Sequence, residues 1–201
     1  MISSSNNYSS SSPPPPSRAK QYFSTFLADD YVRPCHLDLV SEILKFKPQS
    51  VFEFGCGQGK NLNILLHTRP KTLKRSVWGI DLSRLAVNEA AKKGRREYVF
   101  LGDENTLPKL DTRSIDVCFT CSVLDHIDNE LIVDHVIADL KRICRKGVVL
   151  FEPQRNTPET YYYKHDYVGD YDFTKKRNYE YYSAAAQGGD ESTYYMYIWK
   201  K

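Results

Sequence analysis

The chain has 201 residues, of which 41% are hydrophobic, and it carries a formal net charge of +3. This is enough apolar material for one domain with its own core, while so mild a charge gives no reason to expect a nucleic-acid partner. No stretch approaches the roughly 18 apolar residues of a membrane span. An odd count of five cysteines, without a secretory signal, predicts a reducing, cytoplasmic location.

Residues 1–16 read MISSSNNYSSSSPPPP and show neither a helical nor a strand period. A segment this poor in apolar side chains cannot repay the entropy of becoming ordered, so we expect a solvated, extended tail. A single domain is then expected over residues 17–201.

From residue 18 onward, the hydrophobic pattern alternates between helices and short apolar strands. Ser83 suits the N-cap of one helix and Gly94 its end, while Gly147 is expected to end the helix before the fifth strand. Continuous apolar strands that alternate with helices predict an α/β fold whose parallel sheet is buried on both faces. The predicted helices are 18–26, 35–45, 61–67, 84–93 and 129–144, and the predicted strands are 50–54, 76–80, 98–101, 115–121 and 148–152.

The stretch VFEFGCGQGKN at residues 51–61 places a glycine-rich turn between a predicted strand and a predicted helix. Glycines let the chain turn sharply and let a ligand touch bare backbone. Asp81 ends the next strand, roughly 20 or so residues beyond the turn, where a carboxylate suits the hydroxyls of a ribose. Together, the turn and the acid indicate a nucleoside-type cofactor.

The residues of the turn distinguish between nucleoside cofactors. A dinucleotide fingerprint needs a small residue at its sixth position, where this chain has Lys60. Glu53 would repel a pyrophosphate, whereas it would attract a ligand with a cationic sulfonium and an amino-acid tail. The pattern E-x-G-x-G-x-G, with Asp81 downstream, resembles the class I S-adenosylmethionine-dependent methyltransferases.

The resemblance covers roughly residues 20–153 and implies S-adenosylmethionine as the cofactor. It also implies a Rossmann-like, doubly wound, mostly parallel sheet of seven strands that ends in an antiparallel hairpin. Asp103 matches the acid that reaches the adenine amino group, and CSVLDHI at residues 121–127 is similar to the V-L-x-H-I stretch that lines the cofactor and the substrate mouth. The residues to which we assign the cofactor are Glu53, Gly55, Gly57, Asn61, Asp81, Leu82, Asp103, Glu104, Cys121 and Ser122.

Two histidines are candidate general bases. An acceptor hydroxyl must lose a proton as the methyl arrives, and the unperturbed pKa of histidine lies near physiological pH. His126 follows the fourth strand and His165 follows the fifth; alternatively, His126 packs over the adenine and His165 caps a turn. No metal site is predicted, because the C-x-x-C of Cys118 and Cys121 lies in an apolar run and no second pair has a zinc spacing.

The residues after the fifth strand are rich in aromatic side chains. Residues 161–167 read YYYKHDY, a mixture that either forms an acceptor site or covers the edge of the sheet. Residues 179–186 and 193–199 favour strands and are joined by Gln187-Gly188-Gly189-Asp190, which predicts the antiparallel hairpin. The run TPETYYYKHDYVGDYDF is also similar to the tail of small methyltransferases linked to sugar biosynthesis.

The predicted function is therefore methyl transfer to a small-molecule hydroxyl, on a sugar, a nucleotide sugar or a similar metabolite. An RNA or protein acceptor is the alternative, if the basic clusters converge on the face that holds Ser122 and His126. Those clusters are residues 69–75, 92–96 and 141–146. A catalytically idle scaffold subunit is a further alternative, against which the intact glycine turn and Asp81 argue. The sequence predicts no oligomeric state.

Overall fold

A seven-stranded sheet organises the part of the chain that the computed structural model describes, namely residue 32 and residues 34–68, 76–153, 163–179 and 194–201. Several predictions lie outside these residues. They are the tail at 1–16, the helix at 18–26, the basic cluster at 69–75, the aromatic residues 161–162 and the hairpin turn at 187–190.

The helices are α1 Pro34–Leu44, α2 Lys60–Thr68, α3 Arg84–Lys92 and α4 Glu130–Ile143, with two short 3₁₀ helices, η1 Glu104–Lys109 and η2 Leu124–His126. The strands are β1 Val51–Phe54, β2 Val77–Asp81, β3 Val99–Leu101, β4 Ile115–Cys121, β5 Cys144–Pro153, β6 Thr174–Tyr179 and β7 Tyr194–Lys200. The four helices and the first four strands confirm their predicted bounds to within one residue. No helix in the described ranges is long and apolar enough to cross a membrane.

The sheet confirms the predicted fold class. Its strand order is β3-β2-β1-β4-β5-β7-β6; β1 to β5 pair in parallel, and β7 is antiparallel to both of its neighbours. Successive strands run outward from β1 in one direction and from β4 in the other. In such sheets the ligand crevice lies at this reversal, outside the carboxyl ends of the strands.

Both faces of the sheet are covered, as continuous apolar strands require. Along β5, Val149 and Phe151 face one core cluster, which also contains buried residues of α1 and α2. Val148 and Leu150 face the other cluster, which contains the apolar side of α4. This alternation follows from the two-residue period of a strand, and burial on both sides leaves the strand ends as the exposed edge of the sheet.

The role predicted for Gly147 is wrong, because this residue lies inside β5. The helix α4 ends at Ile143 and the strand begins at the next residue, with no glycine turn between them. A Cβ at Gly147 would lie 2.5 Å from Phe46 Cε1 and 2.5 Å from the Trp199 carbonyl oxygen. The glycine is needed for close packing within the strand, which the sequence pattern alone does not distinguish from a helix end.

The described sixth strand, Thr174–Tyr179, begins before the predicted 179–186, of which residues 180–186 lie outside the described part of the chain. Among the described strands it pairs only with β7 and forms an edge of the sheet. Lys175 and Lys176 are exposed, as is usual on an edge strand, where charged side chains discourage pairing with another chain. These charges mask the apolar period that would have identified the strand.

Candidate active site

The polar residues singled out from the sequence lie along one edge of the sheet. Glu53 lies near the carboxyl end of β1, and Asp81 and Cys121 end β2 and β4. Parallel strands bring these ends together, and the β1–β4 reversal falls between them. No group of metal-ligating side chains able to hold an ion occurs within the described ranges.

The glycine turn has two packed positions and one open position. A Cβ at Gly55 would lie 2.4 Å from Val123 Cγ2, and a Cβ at Gly59 would lie 2.5 Å from Val99 Cγ2. Gly57 has a φ of +53°, and a Cβ there would meet nothing within 4 Å. Gly57 is therefore the turn glycine that presents bare backbone to open space, whereas Gly55 lets the turn pack against the residues after β4.

Asp81 holds the turn in place. Its Oδ2 accepts the backbone N–H of Gly57 at 2.7 Å, and its Oδ1 accepts that of Ser83 at 2.8 Å. Burial raises the pKa of Asp81, and these two hydrogen bonds oppose the rise. Since each carboxylate oxygen accepts about two bonds, both retain capacity for the hydroxyls of a ribose. Leu82 follows directly and is 75% exposed at the rim.

Glu53 and Asn61 form a buried polar pair with unused acceptors. Asn61 Nδ2 donates to Glu53 Oε1 at 2.7 Å. Neither Glu53 Oε2 nor Asn61 Oδ1 has a hydrogen-bond partner among the described residues. Burial raises the pKa of Glu53 well above its ordinary range, and the charge of Asp81 adds to the rise. Unpaired buried acceptors are costly, so this pair fits a ligand that brings N–H donors and positive charge, as the amino-acid tail of S-adenosylmethionine does.

Asp103 and Glu104 stand where the third strand enters η1. Asp103 is the N-cap, and its Oδ1 accepts the backbone N–H of Asn105 at 3.1 Å, while Thr106 completes a capping box. Its carboxylate thus has a local structural role. Glu104 is half-buried and lines a shallow pocket of about 350 Å³ with Asn105, Pro108, His135, Ala138 and Asp139.

Cys121 and Ser122 lie at the carboxyl end of β4, beside the β1–β4 reversal. Burial raises the pKa of the Cys121 thiol, and the nearby Glu53 adds to the rise. Ser122 has a φ of +54°, which is rare for a residue other than glycine. Its Oγ donates to the Tyr194 hydroxyl at 3.3 Å. Tyr194 pairs with Pro153 at the same edge of the sheet.

The two candidate bases have different surroundings. His126 lies in η2 with its side chain 28% exposed, and its Nε2 is 3.8 Å from Asp125 Oδ1. His165 is buried: its Nδ1 is 3.0 Å from Glu130 Oε2 and its Nε2 is 2.9 Å from the Leu124 carbonyl oxygen. Both nitrogens of His165 are engaged, so this ring ties its segment to η2 and α4.

Comparison with known proteins identifies the family. A family model described as a methyltransferase domain matches residues 52–151, a range that includes the glycine turn, Asp81 and the end of β4. The chain is a class I S-adenosylmethionine-dependent methyltransferase. Its cofactor is S-adenosylmethionine. A search of the curated proteins found no match.

Solved structures share the fold of this methyltransferase at low identity. A methyltransferase from Archaeoglobus fulgidus is 15% identical with a TM-score of 0.62, over 91% of this chain and 99% of that one. One from Aquifex aeolicus is 20% identical with a TM-score of 0.55, over 92% and 97%. The PH0226 protein from Pyrococcus horikoshii OT3 is 14% identical with a TM-score of 0.63, over 90% and 98%.

Three residues of the site were not predicted. Glu152 is buried beneath the residues after β4, Tyr194 reaches Ser122 from β7, and Arg95 donates to the Gln58 carbonyl oxygen in the glycine turn at 3.1 Å. For Glu152 a signal exists: VVLFEP carries an acid at the end of an apolar strand, as VFEF does. Arg95 is only 7% exposed, so it is not part of a solvated basic face.

Proposed function

We propose that this methyltransferase transfers its methyl group to a hydroxyl of a small acceptor, such as a sugar or a nucleotide sugar. The observation that carries the proposal is the hydroxyl pair of Ser122 and Tyr194, 3.3 Å apart at the carboxyl edge of the sheet. Hydroxyls that both donate and accept suit a polyhydroxylated acceptor. His126, in the next short helix, is within the same region and supplies a candidate base.

In this proposal, different residues at this edge contact different parts of the cofactor. S-adenosylmethionine, when bound, supplies a methyl group that is already activated on a sulfonium. We assign the ribose hydroxyls to Asp81, the backbone approach to Gly57 and the ammonium group to Glu53 with Asn61. These contacts orient the reactants, which is the main contribution the protein can make to this reaction.

His126 is the proposed general base. It is partly exposed at the mouth, and the buried carboxylate of Asp125 lies at ion-pair distance behind its Nε2. A carboxylate behind a histidine orients the ring and stabilises the charge that appears when the ring takes a proton. We propose His165 as a positioning residue instead, because both of its ring nitrogens already face protein oxygens.

The location of the basic clusters supports a small acceptor over RNA. Arg145 and Lys146 lie at the start of β5, where both pair with Asp116, one residue into β4. Residues 92–96 precede the start of β3. Both clusters thus come before the amino ends of parallel strands, whereas Ser122 and His126 follow a carboxyl end. These two clusters, which are the ones within the described residues, do not form a continuous basic surface around the proposed acceptor mouth.

The unused acceptors of Glu53 and Asn61 argue against an idle scaffold. Among the described residues these two buried oxygens have no hydrogen-bond partner, which a bound ligand would supply and an idle scaffold would lack. The five cysteines are all free thiols, which supports the proposed cytoplasmic location.

The test starts with calorimetry of the purified chain against S-adenosylmethionine and S-adenosylhomocysteine, with NAD as the control ligand. Asp81→Ala is expected to weaken binding about tenfold or more, since a charge-assisted hydrogen bond contributes roughly 1.5–3 kcal/mol. Sugars, nucleotide sugars, small amines and RNA are then offered with labelled cofactor. Transfer to amines or RNA, but to no hydroxyl compound, would overturn the proposed acceptor class.

A further inference from the structure

We propose that Glu152 is a positioning residue for the methyl-transfer site: it holds the segment 122–124 after β4, and through Val123 it holds the glycine turn. This inference rests on the proposed function for its catalytic meaning. The contacts themselves join two parts of the cofactor site that are far apart in the sequence. Glu152 lies outside the sequence features from which the cofactor site was predicted, namely the glycine motif and Asp81.

The carboxylate of Glu152 is saturated by donors from β4 and the segment that follows it. Oε1 accepts from the Thr120 hydroxyl at 2.6 Å. Oε2 accepts the backbone N–H groups of Val123 at 3.0 Å and Leu124 at 3.2 Å. The side chain is fully buried. A buried carboxylate with this many donors costs a great deal to disturb, because removing it leaves several backbone donors unpaired.

These bonds act on a strained part of the backbone. Ser122, between the hydroxyl donor and the two N–H donors, has a φ of +54°. A left-handed conformation at a serine persists only when its surroundings impose it. The Ser122 N–H donates to the Phe151 carbonyl oxygen at 3.0 Å, so β5 holds this segment from both residues 151 and 152. The result is the orientation of the Ser122 hydroxyl toward Tyr194.

Val123 passes this placement on to the glycine turn. Its methyl groups lie so close to Gly55 that a Cβ there would be 2.4 Å from Val123 Cγ2. The backbone N–H groups of Gly55 and Cys56 both donate to the Ile80 carbonyl oxygen at 2.9 Å. Glu152, Val123, Gly55 and β2 therefore form one continuous set of contacts across the crevice.

The raised pKa of Glu152 shows that burying its charged form is unfavourable. Burial raises its pKa to about 8, and the charge of the neighbouring Asp125 adds to the rise. A carboxyl kept in such a place has a cost that simple packing with an apolar side chain would avoid, so its retention is explained by the placement it imposes.

The experiment compares Glu152→Gln with Asp116→Asn as the matched control. Asp116 is also a buried carboxylate in this sheet, and its Oδ2 accepts the backbone N–H of Gln49 at 2.6 Å, but it stands at the opposite end of β4. Amide proton exchange is followed by NMR in the ligand-free full chain. The affinity for S-adenosylhomocysteine is measured by calorimetry on the same samples.

In Glu152→Gln, we expect faster exchange of the Val123 and Leu124 amides and also of the Gly55 and Cys56 amides, with about tenfold weaker binding of S-adenosylhomocysteine. In Asp116→Asn, we expect lower overall stability. The exchange of the glycine-turn amides should then change no more than that of the rest of the sheet, and the affinity for S-adenosylhomocysteine should be unchanged. Unchanged Gly55 and Cys56 exchange in Glu152→Gln would overturn the proposal. Equal changes in the two variants would overturn it as well.

If Glu152→Gln does not fold, Thr120→Val replaces it, since this near-isosteric change removes one donor to Glu152 and leaves the carboxylate in place. The same two pairs of amides are then compared with the control, and a response confined to Val123 and Leu124 contradicts the inference. Failure of the wild-type chain to bind S-adenosylhomocysteine would contradict the proposed function. The exchange measurement still decides whether Glu152 positions the turn, because it needs no ligand.

Discussion

Glu53 and Glu152 lie near the carboxyl ends of β1 and β5 in the same sheet, and both are fully buried. Glu152 uses both oxygens to accept hydrogen bonds from the chain. Glu53 accepts from Asn61 through one oxygen and leaves the other without a partner in the described part of the chain. Burial alone therefore does not distinguish a ligand-binding acid from a structural one; the inventory of donors does.

The comparison separates two halves of the crevice. The β1–β2 side carries acceptors without a partner among the described residues and the open backbone of Gly57, so we propose it as the side that contacts the cofactor. The β4–β5 side is internally satisfied around Glu152 and presents hydroxyls and His126 instead. We infer that the first side binds and the second side shapes the acceptor mouth.

The largest effect is expected from Gly57→Val, which places a side chain in the open space of the β1–β2 side. We expect calorimetry to show no cofactor binding, while the sheet stays folded, because the new Cβ meets nothing within 4 Å apart from its chain neighbours and the cost of the positive φ is local to the turn. Gly94→Val is the matched control, because Gly94 also has positive φ and open space, but at the end of α3. Normal binding by Gly57→Val would remove the glycine turn from the cofactor site.

Variants of the two histidines test the roles proposed for the β4–β5 side. We expect His126→Ala to slow the single-turnover rate at saturating cofactor by about 10²–10⁴-fold, the usual contribution of a general base, with little change in stability. His165→Ala should instead lower the free energy of unfolding by roughly 1–3 kcal/mol, because it removes a buried ring together with its hydrogen bonds to Glu130 and to the Leu124 carbonyl oxygen. A slow but fully stable His165→Ala, beside a fast His126→Ala, would reverse these roles.

A smaller effect is expected from Glu53→Gln, which should weaken cofactor binding about tenfold and leave stability unchanged or higher. The pKa of Glu53 is raised by burial, so a bound cation should lower it again and release a proton. Calorimetry in buffers of different ionisation enthalpy measures that release. A release that is the same in wild type and in Glu53→Gln would assign the proton to another group.

A separate expectation concerns the dependence of stability on pH. The pKa of Glu152 is raised from 4.5 to about 8 by burial and by Asp125, so the folded chain holds this proton more tightly than the unfolded chain. Stability from this group is present below about pH 4.5 and is lost as the pH rises to about 8. Urea unfolding at several pH values should show wild type losing stability relative to Glu152→Gln across this window. A constant difference between the two would mean that Glu152 does not titrate there.

Local patterns were sufficient for most of the fold. Each of the first four strands is a short apolar run, and α4 shows a helical period that ends near residue 144, so neighbouring residues alone predict them. Gly147 was misassigned and the start of β6 was missed for one physical reason. A glycine inside a strand and a charged edge strand are explained by what packs beside them, namely Phe46 and Trp199 in one case and β7 in the other.

By itself, the sequence determined the turn, the acid that ends β2 and hence the kind of cofactor, because the turn acts through local backbone geometry and Asp81 ends the next strand of the same strand–helix–strand unit. Only the tertiary structure decided which glycine is open, which acid is saturated and which hydroxyls meet. Glu152 and Leu124 are 28 residues apart, and Ser122 and Tyr194 are 72 apart. Contacts at such separations depend on strand order and register, which are properties of the whole packed sheet and not of any single segment.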